Sequence, residues 1–248
     1  MKKLLVLDSN SILNRAYYGI RTLNAPNGTP TNAVYGFLNI LLKLINDQQP
    51  DYIFAAFDLK APTFRHKMYS GYKATRKAMP EDLALQMPVM KELLTLMNIP
   101  ILELEGYEAD DIIGTVSRIC GERSIECFIA TGDRDDLQLA DNGTTVILTS
   151  SRMGQTVTEL YDETAVKEKY GVSPAEFVDL KALMGDKSDN IPGVSGIGEK
   201  TASKLISEYK DIENMYEHIE DLPVTARIKE KLKNEKDNAF LSKTLAKI

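Results

Sequence analysis

Three short apolar segments in the first half of the chain predict buried β-strands. They cover residues 3–7, 52–57 and 127–131 and are almost continuously hydrophobic, as is typical of parallel strands that are covered on both faces. Segments with a helical period lie between them, notably residues 33–46 and 88–97. Because strands and helices alternate over about 150 residues, the pattern predicts an α/β fold with a doubly wound, mostly parallel sheet flanked by helices.

The pattern changes near residue 162. Beyond it the chain is rich in turns and helical periods, contains no strand-like segment and is punctuated by Pro174, Pro192 and Pro223. We therefore expect an α/β domain over residues 1–161 and a helical subdomain over residues 162–248, without a flexible linker between them.

Composition narrows the class of protein. With 43% hydrophobic and 27% charged residues, the chain can form a full core and is ordinary for a globular protein. No apolar run approaches the roughly 18 residues that a membrane span needs. Two cysteines and two histidines exclude a disulfide framework, a cysteine zinc site and a histidine-rich metal site. We expect a cytoplasmic protein with no membrane partner.

Each predicted strand leads directly into an aspartate. Asp8 and Asp58 follow the first two strands, and Asp133 follows the third after one glycine. Since ligands of open α/β sheets bind beyond the carboxyl ends of the strands, the three side chains should meet at one edge of the sheet. A single aspartate at such a position is ordinarily a helix N-cap, but three in register favour a functional site.

Further carboxylates occur in clusters. Three of them fall within four residues at the start of a helical segment, where like charges repel unless a cation lies between them. Oxygen ligands without thiolates or imidazoles suit Mg²⁺ or Mn²⁺, whereas the alternative is a solvated acidic face. The candidate metal ligands are Asp8, Asp58, Glu108, Asp110, Asp111, Asp133, Asp135, Asp186 and Asp189.

The net charge of −6 does not exclude a polyanionic substrate. Setting the nine candidate ligands aside leaves 27 acidic side chains against 30 basic ones, and residues 59–80 contain no acidic side chain at all. Cations interleaved with aromatic rings are typical of a groove for a single nucleic-acid strand, although an exposed basic loop is the alternative. The prolines and glycine of this segment predict two short helices with a break, placed as a cover over the site. Its cations and rings are Lys60, Phe64, Arg65, Lys67, Tyr69, Tyr72, Lys73, Arg76 and Lys77.

A glycine-rich segment spans residues 191–202. It is one residue out of register with a phosphate-binding P-loop, and no predicted strand precedes it, so neither a P-loop nor a dinucleotide fingerprint fits. A tight turn between two helices fits better, with backbone amides able to approach a phosphate of a duplex. The alternative is a purely structural turn. The candidate DNA contacts here are Gly196, Gly198, Lys200 and Thr201.

Taken together, these motifs resemble the 5′-nuclease (flap endonuclease) domains of bacterial DNA polymerase I over essentially the whole chain. The resemblance implies a PIN-like nuclease core, a helical arch at about residues 60–90 and a helical hairpin of the helix-3-turn-helix type. It also implies hydrolysis of 5′ flaps and nicked duplex DNA in replication and repair. The matching motifs are the Asp8 strand and residues 33–37, 57–58, 64–66, 72–76, 107–111, 132–135 and 185–201.

The resemblance further implies two divalent ions. Asp135, Asp186 and Asp189 would belong to the second ion and the other six candidate ligands to the tighter first one, with Asp58 and Asp110 also counted as catalytic. Lys73 and Arg76 of the arch would steer the scissile phosphate as catalytic cations, Tyr72 would stack on a base, and Arg65 and Lys77 would contact DNA. A potassium ion would bind the backbone carbonyls of Pro192, Val194, Ile197, Leu183 and Met184.

One position departs from the family pattern. Asp136 stands where the family usually has an apolar residue, and it would either perturb the second metal position or face solvent. The resemblance also implies a monomer, with a polymerase domain fused in many members. Two alternatives stay open: a ribonuclease with a similar acidic site, and a non-catalytic module that recognises DNA junctions for a polymerase.

Overall fold

The computed structural model describes residues 1–141, 143–152 and 155–248. Two compact units emerge: residues 1–61 with 78–162, and residues 62–77 with 163–248. Within the described part of the chain, no helix is long and apolar enough to cross a membrane.

The first unit is built on a six-stranded sheet. Its strands lie in the order β3-β2-β1-β4-β5-β6, and every neighbouring pair is parallel except β5 and β6. This confirms the predicted mostly parallel sheet. The strands are Lys3–Asp8 (β1), Tyr52–Ala56 (β2), Ile101–Leu102 (β3), Glu126–Thr131 (β4), Thr144–Arg152 (β5) and Gln155–Tyr161 (β6).

The three predicted strands are present as β1, β2 and β4, whereas β3, β5 and β6 did not follow from the apolar pattern. β3 has only two residues, which is too short for a hydrophobic period. β5 and β6 are rich in threonine and serine. Strands of an antiparallel pair are commonly β-branched and need not be continuously apolar, so the apolar pattern does not identify them.

The helices confirm the predicted alternation along the chain. A 3₁₀ helix, Asp135–Leu139, follows β4. The α-helices are Ser9–Gly19 (α1), Asn32–Gln48 (α2), Phe64–Met68 (α3), Glu81–Leu96 (α4), Ala109–Glu122 (α5), Glu163–Tyr170 (α6), Pro174–Met184 (α7), Glu199–Tyr209 (α8), Ile212–Glu217 (α9), Ala226–Asn234 (α10) and Lys236–Ala246 (α11).

The core of the first unit joins β1, β2, α2 and α4. Leu7, Phe37, Phe57 and Met90 are completely buried in it. The buried Gln86 side chain of α4 accepts the backbone N–H groups of Ala33 and Val34 at 2.8 and 3.2 Å, which satisfies two donors at the start of α2. These contacts fix α4 in the first unit.

The segment predicted as an arch at about residues 60–90 is therefore divided. Residues 81–90 belong to α4 and the first core, because α4 buries Leu83 and Met90 there. Residues 62–77 group with the helical unit. Only one of the two short helices predicted there forms as a helix, α3, and turns follow it.

The second unit is helical, as predicted. Its α7 and α11 pack against each other, and Leu183, Leu205, Ile206 and Met215 are completely buried. Lys243 on α11 forms ion pairs with Asp179 on α7 and Glu213 on α9.

Candidate metal centre

The carboxyl ends of three neighbouring parallel strands bring the predicted aspartates to one edge of the sheet. Asp8 is the last residue of β1 and lies opposite Ala56, the last residue of β2, so that Asp58 follows two residues further on. Asp133 comes two residues after the end of β4. The negative charges of Asp58 and Asp133 both act on Asp8. The three residues therefore lie at one edge of the sheet, as expected for neighbouring parallel strands.

Asp8 is held by hydrogen bonds and is almost fully buried, at 3% exposed. One of its oxygens accepts the Ser11 backbone N–H at 3.2 Å as the N-cap of α1, and the other accepts the Thr131 hydroxyl at 2.7 Å. Burial, together with the negative charges of Asp133 and Asp58, raises the pKa of Asp8 to about 7 despite these donors.

The start of α5 places the next group of carboxylates. Glu108 and Asp111 form a reciprocal capping box, in which the Glu108 N–H donates to Asp111 at 2.9 Å. Asp58 accepts the Ala109 N–H at 2.8 Å and so fixes the helix start against β2. Asp110 takes no part in this cap. Burial and the charges of Asp136, Asp8, Asp133 and Asp58 raise its pKa well above the ordinary value.

Asp136 completes a compact group with Asp8 and Asp110. One carboxylate oxygen from each of the three lies within 4.8 Å of the other two. Asp136 is completely buried, and neither of its oxygens receives a hydrogen bond from the described residues. Burial, followed by the charges of Asp8 and Asp133, raises its pKa well above the ordinary value.

The donor set fits a hard divalent cation. It consists of oxygens alone, two of its three residues are buried while Asp110 is partly exposed, and it contains orphaned carboxylate atoms that a cation would satisfy. Among the nine predicted ligands, Asp8 and Asp110 belong to this compact group. Asp136 was not among them, although a third aspartate in the run from Asp133 was the signal that could have identified it.

The remaining predicted ligand of the first unit, Asp135, starts the 3₁₀ helix. Its backbone N–H donates to Asp133 at 3.1 Å, which ties the loop after β4 to the strand end. The Asp133 N–H in turn donates to the Thr131 hydroxyl at 2.9 Å. Through these bonds the backbone orders the loop from Asp133 to Asp135 at the end of β4.

Asp186 and Asp189 belong to the second unit and have cationic partners within it. Although burial opposes it, hydrogen bonds from Lys181 and Ser188 lower the pKa of Asp186 to about 2. Asp189 pairs with the Arg76 guanidinium, whose Nε lies 3.1 Å away, and with Lys73 at 3.8 Å. Both carboxylates are therefore charge-neutralised, unlike Asp8, Asp110 and Asp136.

Two predicted DNA contacts in residues 62–77 are buried instead. Arg65 is 2% exposed and donates to the carbonyl of Leu245 at 2.9 Å and to that of Lys247 at 2.7 Å. Tyr72 is 4% exposed, and its hydroxyl donates to Asp189 at 3.3 Å. In this structure, then, Arg65 holds the end of α11 and Tyr72 packs in the core of the unit, because both lie on the inner face of the segment. Lys77 is exposed.

The glycine-rich turn links α7 to α8. Gly193 and Gly196 have φ values of 60° and 83°, and a side chain at Gly193 would meet the backbone of Gly185, so this turn requires glycine. Gly198 is the N-cap of α8, with Lys200 and Thr201 in its first turn. Glu235 accepts both the backbone N–H and the hydroxyl of Ser195, which anchors the turn.

Two of the carbonyls predicted to bind potassium accept hydrogen bonds within this turn. The Leu183 carbonyl accepts the Val194 N–H at 2.8 Å, and the Val194 carbonyl accepts the Ile197 N–H at 3.1 Å. A carbonyl oxygen has two lone pairs, so one remains on each. The potassium site, with Pro192 and Met184, stays a prediction.

Comparisons with known proteins match the whole chain. A family model described as the N-terminal resolvase-like domain of 5′-3′ exonucleases matches residues 3–171, and a model described as their C-terminal SAM fold matches residues 172–248. DNA polymerase I of Caldicellulosiruptor bescii is 48% identical over 99% of this chain, and that of Bacillus subtilis is 45% identical over 100%. The chain spans only 29% and 28% of these two relatives.

Solved structures have the same fold. The T5 5′-exonuclease with bound divalent zinc ions is 21% identical with a TM-score of 0.78, and the match covers 99% of this chain and 89% of that one. The catalytic core of Rad2 in complex with a DNA substrate is 16% identical with a TM-score of 0.59, covering 99% and 76%. These matches confirm the predicted fold class.

Proposed function

The chain belongs to the 5′-3′ exonuclease family, as its motifs predicted, and we propose that it is a divalent-metal-dependent nuclease that hydrolyses phosphodiester bonds of DNA carrying a 5′ single strand. The family membership rests on the two matched models and on the polymerase I relatives. Our proposal extends it to 5′ flaps and nicked duplexes as substrates, and to primer removal in replication and repair in the cytoplasm.

The observation that carries the proposal is the largely buried oxygen cluster at the carboxyl edge of the parallel strands. Asp8, Asp110 and Asp136 crowd three carboxylates into a small volume, and no described lysine or arginine forms an ion pair with any of them. A fold keeps such a cluster at a cost in stability, since like charges repel in a buried site. A bound divalent cation would offset that cost, and we propose that binding this cation is the function of the cluster.

The side chains of the first unit would hold and orient the reacting groups. Bound Mg²⁺ or Mn²⁺ would lower the pKa of a water and neutralise charge that develops on the scissile phosphate. Asp8 and Asp110 would hold the ion from the strand and helix ends. Asp58, Glu108 and Asp111 would keep α5 in place through its cap, so that Asp110 stays directed at the site.

The helical unit supplies groups suited to the DNA backbone. We propose that Lys73 and Arg76 exchange Asp189 for a phosphate of the substrate, since guanidinium and ammonium groups bind phosphate and carboxylate through the same contacts. The first backbone amides of α8, beyond Gly198, would bind a duplex phosphate without reading sequence. The roles of Asp135, Asp186 and Asp189 as ligands of a second ion stay predictions. So do the further ligands of the first ion, Asp58, Glu108, Asp111 and Asp133, and monomeric action.

Cleavage of a 5′-labelled DNA flap, with and without EDTA, tests this proposal. We expect Mg²⁺-dependent product cut near the junction of single strand and duplex. Product that is equally abundant on an all-RNA duplex would favour the ribonuclease alternative. Intact flap binding without any metal-dependent turnover would support the non-catalytic junction module instead; the buried acidic cluster does not favour that module, because unpaired carboxylates weaken phosphate binding.

A further inference from the structure

We infer that Asp136 is an additional carboxylate ligand of the divalent ion held by Asp8 and Asp110, so that this chain binds that ion more tightly than a chain with an apolar residue at the same position. The inference rests on the proposed function for the presence of the ion. It concerns a residue that the family resemblance assigns to no metal site.

The position of Asp136 is set by the 3₁₀ helix that follows β4. This helix, Asp135–Leu139, buries Asp136 and Leu137 completely. Leu137 occupies the hydrophobic core as expected of a leucine, whereas the carboxylate of Asp136 is itself completely buried. Burying an ionisable group in this way is strongly unfavourable unless a partner compensates.

No described residue supplies that compensation. Both oxygens of Asp136 lack a hydrogen-bond donor. The Thr131 hydroxyl lies near enough to favour the charged form of Asp136, but its one proton is donated to Asp8. The nearest charges are carboxylates, which make the burial of Asp136 less favourable still.

Asp136 lies close to two other carboxylates of the metal centre. An oxygen of Asp136 lies within 4.8 Å of one oxygen each of Asp8 and Asp110. Oxygens that share an ion at about 2.1 to 2.4 Å lie at most about 4.2 to 4.8 Å apart. A separation of no more than 4.8 Å therefore brings the three carboxylates close to the spacing that one shared divalent ion requires.

A third carboxylate has two consequences for binding. It replaces one coordinated water by an anionic oxygen, which raises the affinity for a divalent ion. It also increases the charge repulsion in the metal-free protein, so that metal-free stability falls. An apolar residue at position 136 would reverse both effects. Measuring both metal affinity and metal-free stability therefore distinguishes a metal ligand from a residue that only fills the core.

The test is titration of the 248-residue chain with Mn²⁺ alone, without DNA, followed by calorimetry and by the Tm of the metal-free and metal-loaded protein. Two variants are compared. Asp136→Leu provides a side chain of the kind found in the family, and Asp136→Asn keeps the shape and removes the charge. The exposed Asp47→Asn is the matched control, because Asp47 forms a surface ion pair with Lys43 and belongs to no carboxylate cluster of the metal centre.

We expect both Asp136 variants to bind Mn²⁺ at least about tenfold more weakly at the tighter position, and to have a higher Tm than wild type in EDTA. Asp47→Asn should change neither quantity. Unchanged Mn²⁺ affinity in folded Asp136→Asn would overturn the inference, and so would a lower Tm of both variants in EDTA. Failure of the nuclease proposal is a separate result, since wild type would then bind Mn²⁺ but leave the flap uncut.

Discussion

The Thr131 hydroxyl donates a hydrogen bond to Asp8 at 2.7 Å. Thr131 is the last residue of β4 and Asp8 the last of β1, so the bond joins the ends of two neighbouring parallel strands at the metal centre. It directs one Asp8 oxygen and favours the charged form of the carboxylate, which is the form that binds metal.

Replacing Thr131 by valine should weaken metal binding. The variant keeps the β-branched shape of the strand residue but removes the donor, so Asp8 becomes harder to ionise and less well oriented. We expect a loss of roughly tenfold in Mn²⁺ affinity, the scale typical of partners behind a metal ligand, measured by calorimetry at pH 7. Thr131→Ser keeps the hydroxyl and serves as control. Equal affinity in Thr131→Val and wild type would contradict the role given to this bond.

The stability of the metal-free protein should fall as pH rises. In the fold, the pKa values of Asp8, Asp110 and Asp136 lie above their ordinary values, so the native state holds more protons than the unfolded state between about pH 4 and pH 7 or above. The free energy of unfolding therefore decreases as pH increases through this range. Thermal unfolding in EDTA should give a Tm on the order of 5 to 10 °C lower at pH 8 than at pH 5.5.

Divalent metal should reverse this trend. Mn²⁺ stabilises the ionised carboxylates, so its addition should raise the Tm at pH 8 and have little effect at pH 5.5, where protons compete for the same oxygens. A Tm in EDTA that is the same at both pH values would contradict the raised pKa values. Asp8→Asn in EDTA should flatten the dependence, since it removes one of the titrating groups.

Asp110→Asn should abolish cleavage while DNA binding survives. Asp110 takes no part in the cap of α5, so its replacement leaves the helix start intact. A lost metal ligand removes several kcal/mol of transition-state stabilisation, and we expect cleavage of a labelled flap to fall at least about 100-fold. Flap binding in Ca²⁺, measured by fluorescence anisotropy, should change little. Turnover near the wild-type rate would contradict the metal assignment of Asp110.

Asp58→Ala should have a second effect besides loss of cleavage. Asp58 accepts the Ala109 N–H at the start of α5, so the alanine variant leaves that donor without its partner. We expect the variant to lose about 1 kcal/mol of stability, whereas Asp110→Asn should not be destabilised. Chemical denaturation of both variants in EDTA makes the comparison, and equal destabilisation would contradict it.

Lys243→Met should destabilise the helical unit. The Lys243 ammonium binds both Asp179 and Glu213 at 2.6 Å. Burial already raises the pKa of Asp179 despite this partner, and the variant would leave that carboxylate buried without a counter-ion. We expect a loss of about 3 kcal/mol at pH 7 by urea denaturation. The loss should shrink as pH falls, because protonation neutralises Asp179, and the double variant with Asp179→Asn should recover part of the stability.

Part of the fold and of the candidate site could be predicted from the sequence alone. β1, β2 and β4 were predictable because strands covered on both faces are continuously apolar, and Asp8, Asp58 and Asp133 were predictable because parallel strands share one carboxyl edge. β5 and β6 could not be predicted in this way, since these threonine-rich strands, which form an antiparallel pair, lack a continuous apolar pattern. Residues 81–90 were assigned to an arch from the family resemblance, although Pro80 directly precedes α4 and marks its boundary with the basic segment.

The chemistry of the side chains was thus contained in the sequence, and their surroundings were not. Residue type and order determined the strand alternation, the oxygen-only ligand set and the family to which the chain belongs. Only the tertiary structure decided that Arg65 and Tyr72 are buried, that Asp189 pairs with Lys73 and Arg76, and that Asp136 lies beside Asp8 and Asp110 without a donor. Burial and pairing depend on neighbours far away along the chain, and the pKa and metal affinity of a carboxylate follow from those neighbours.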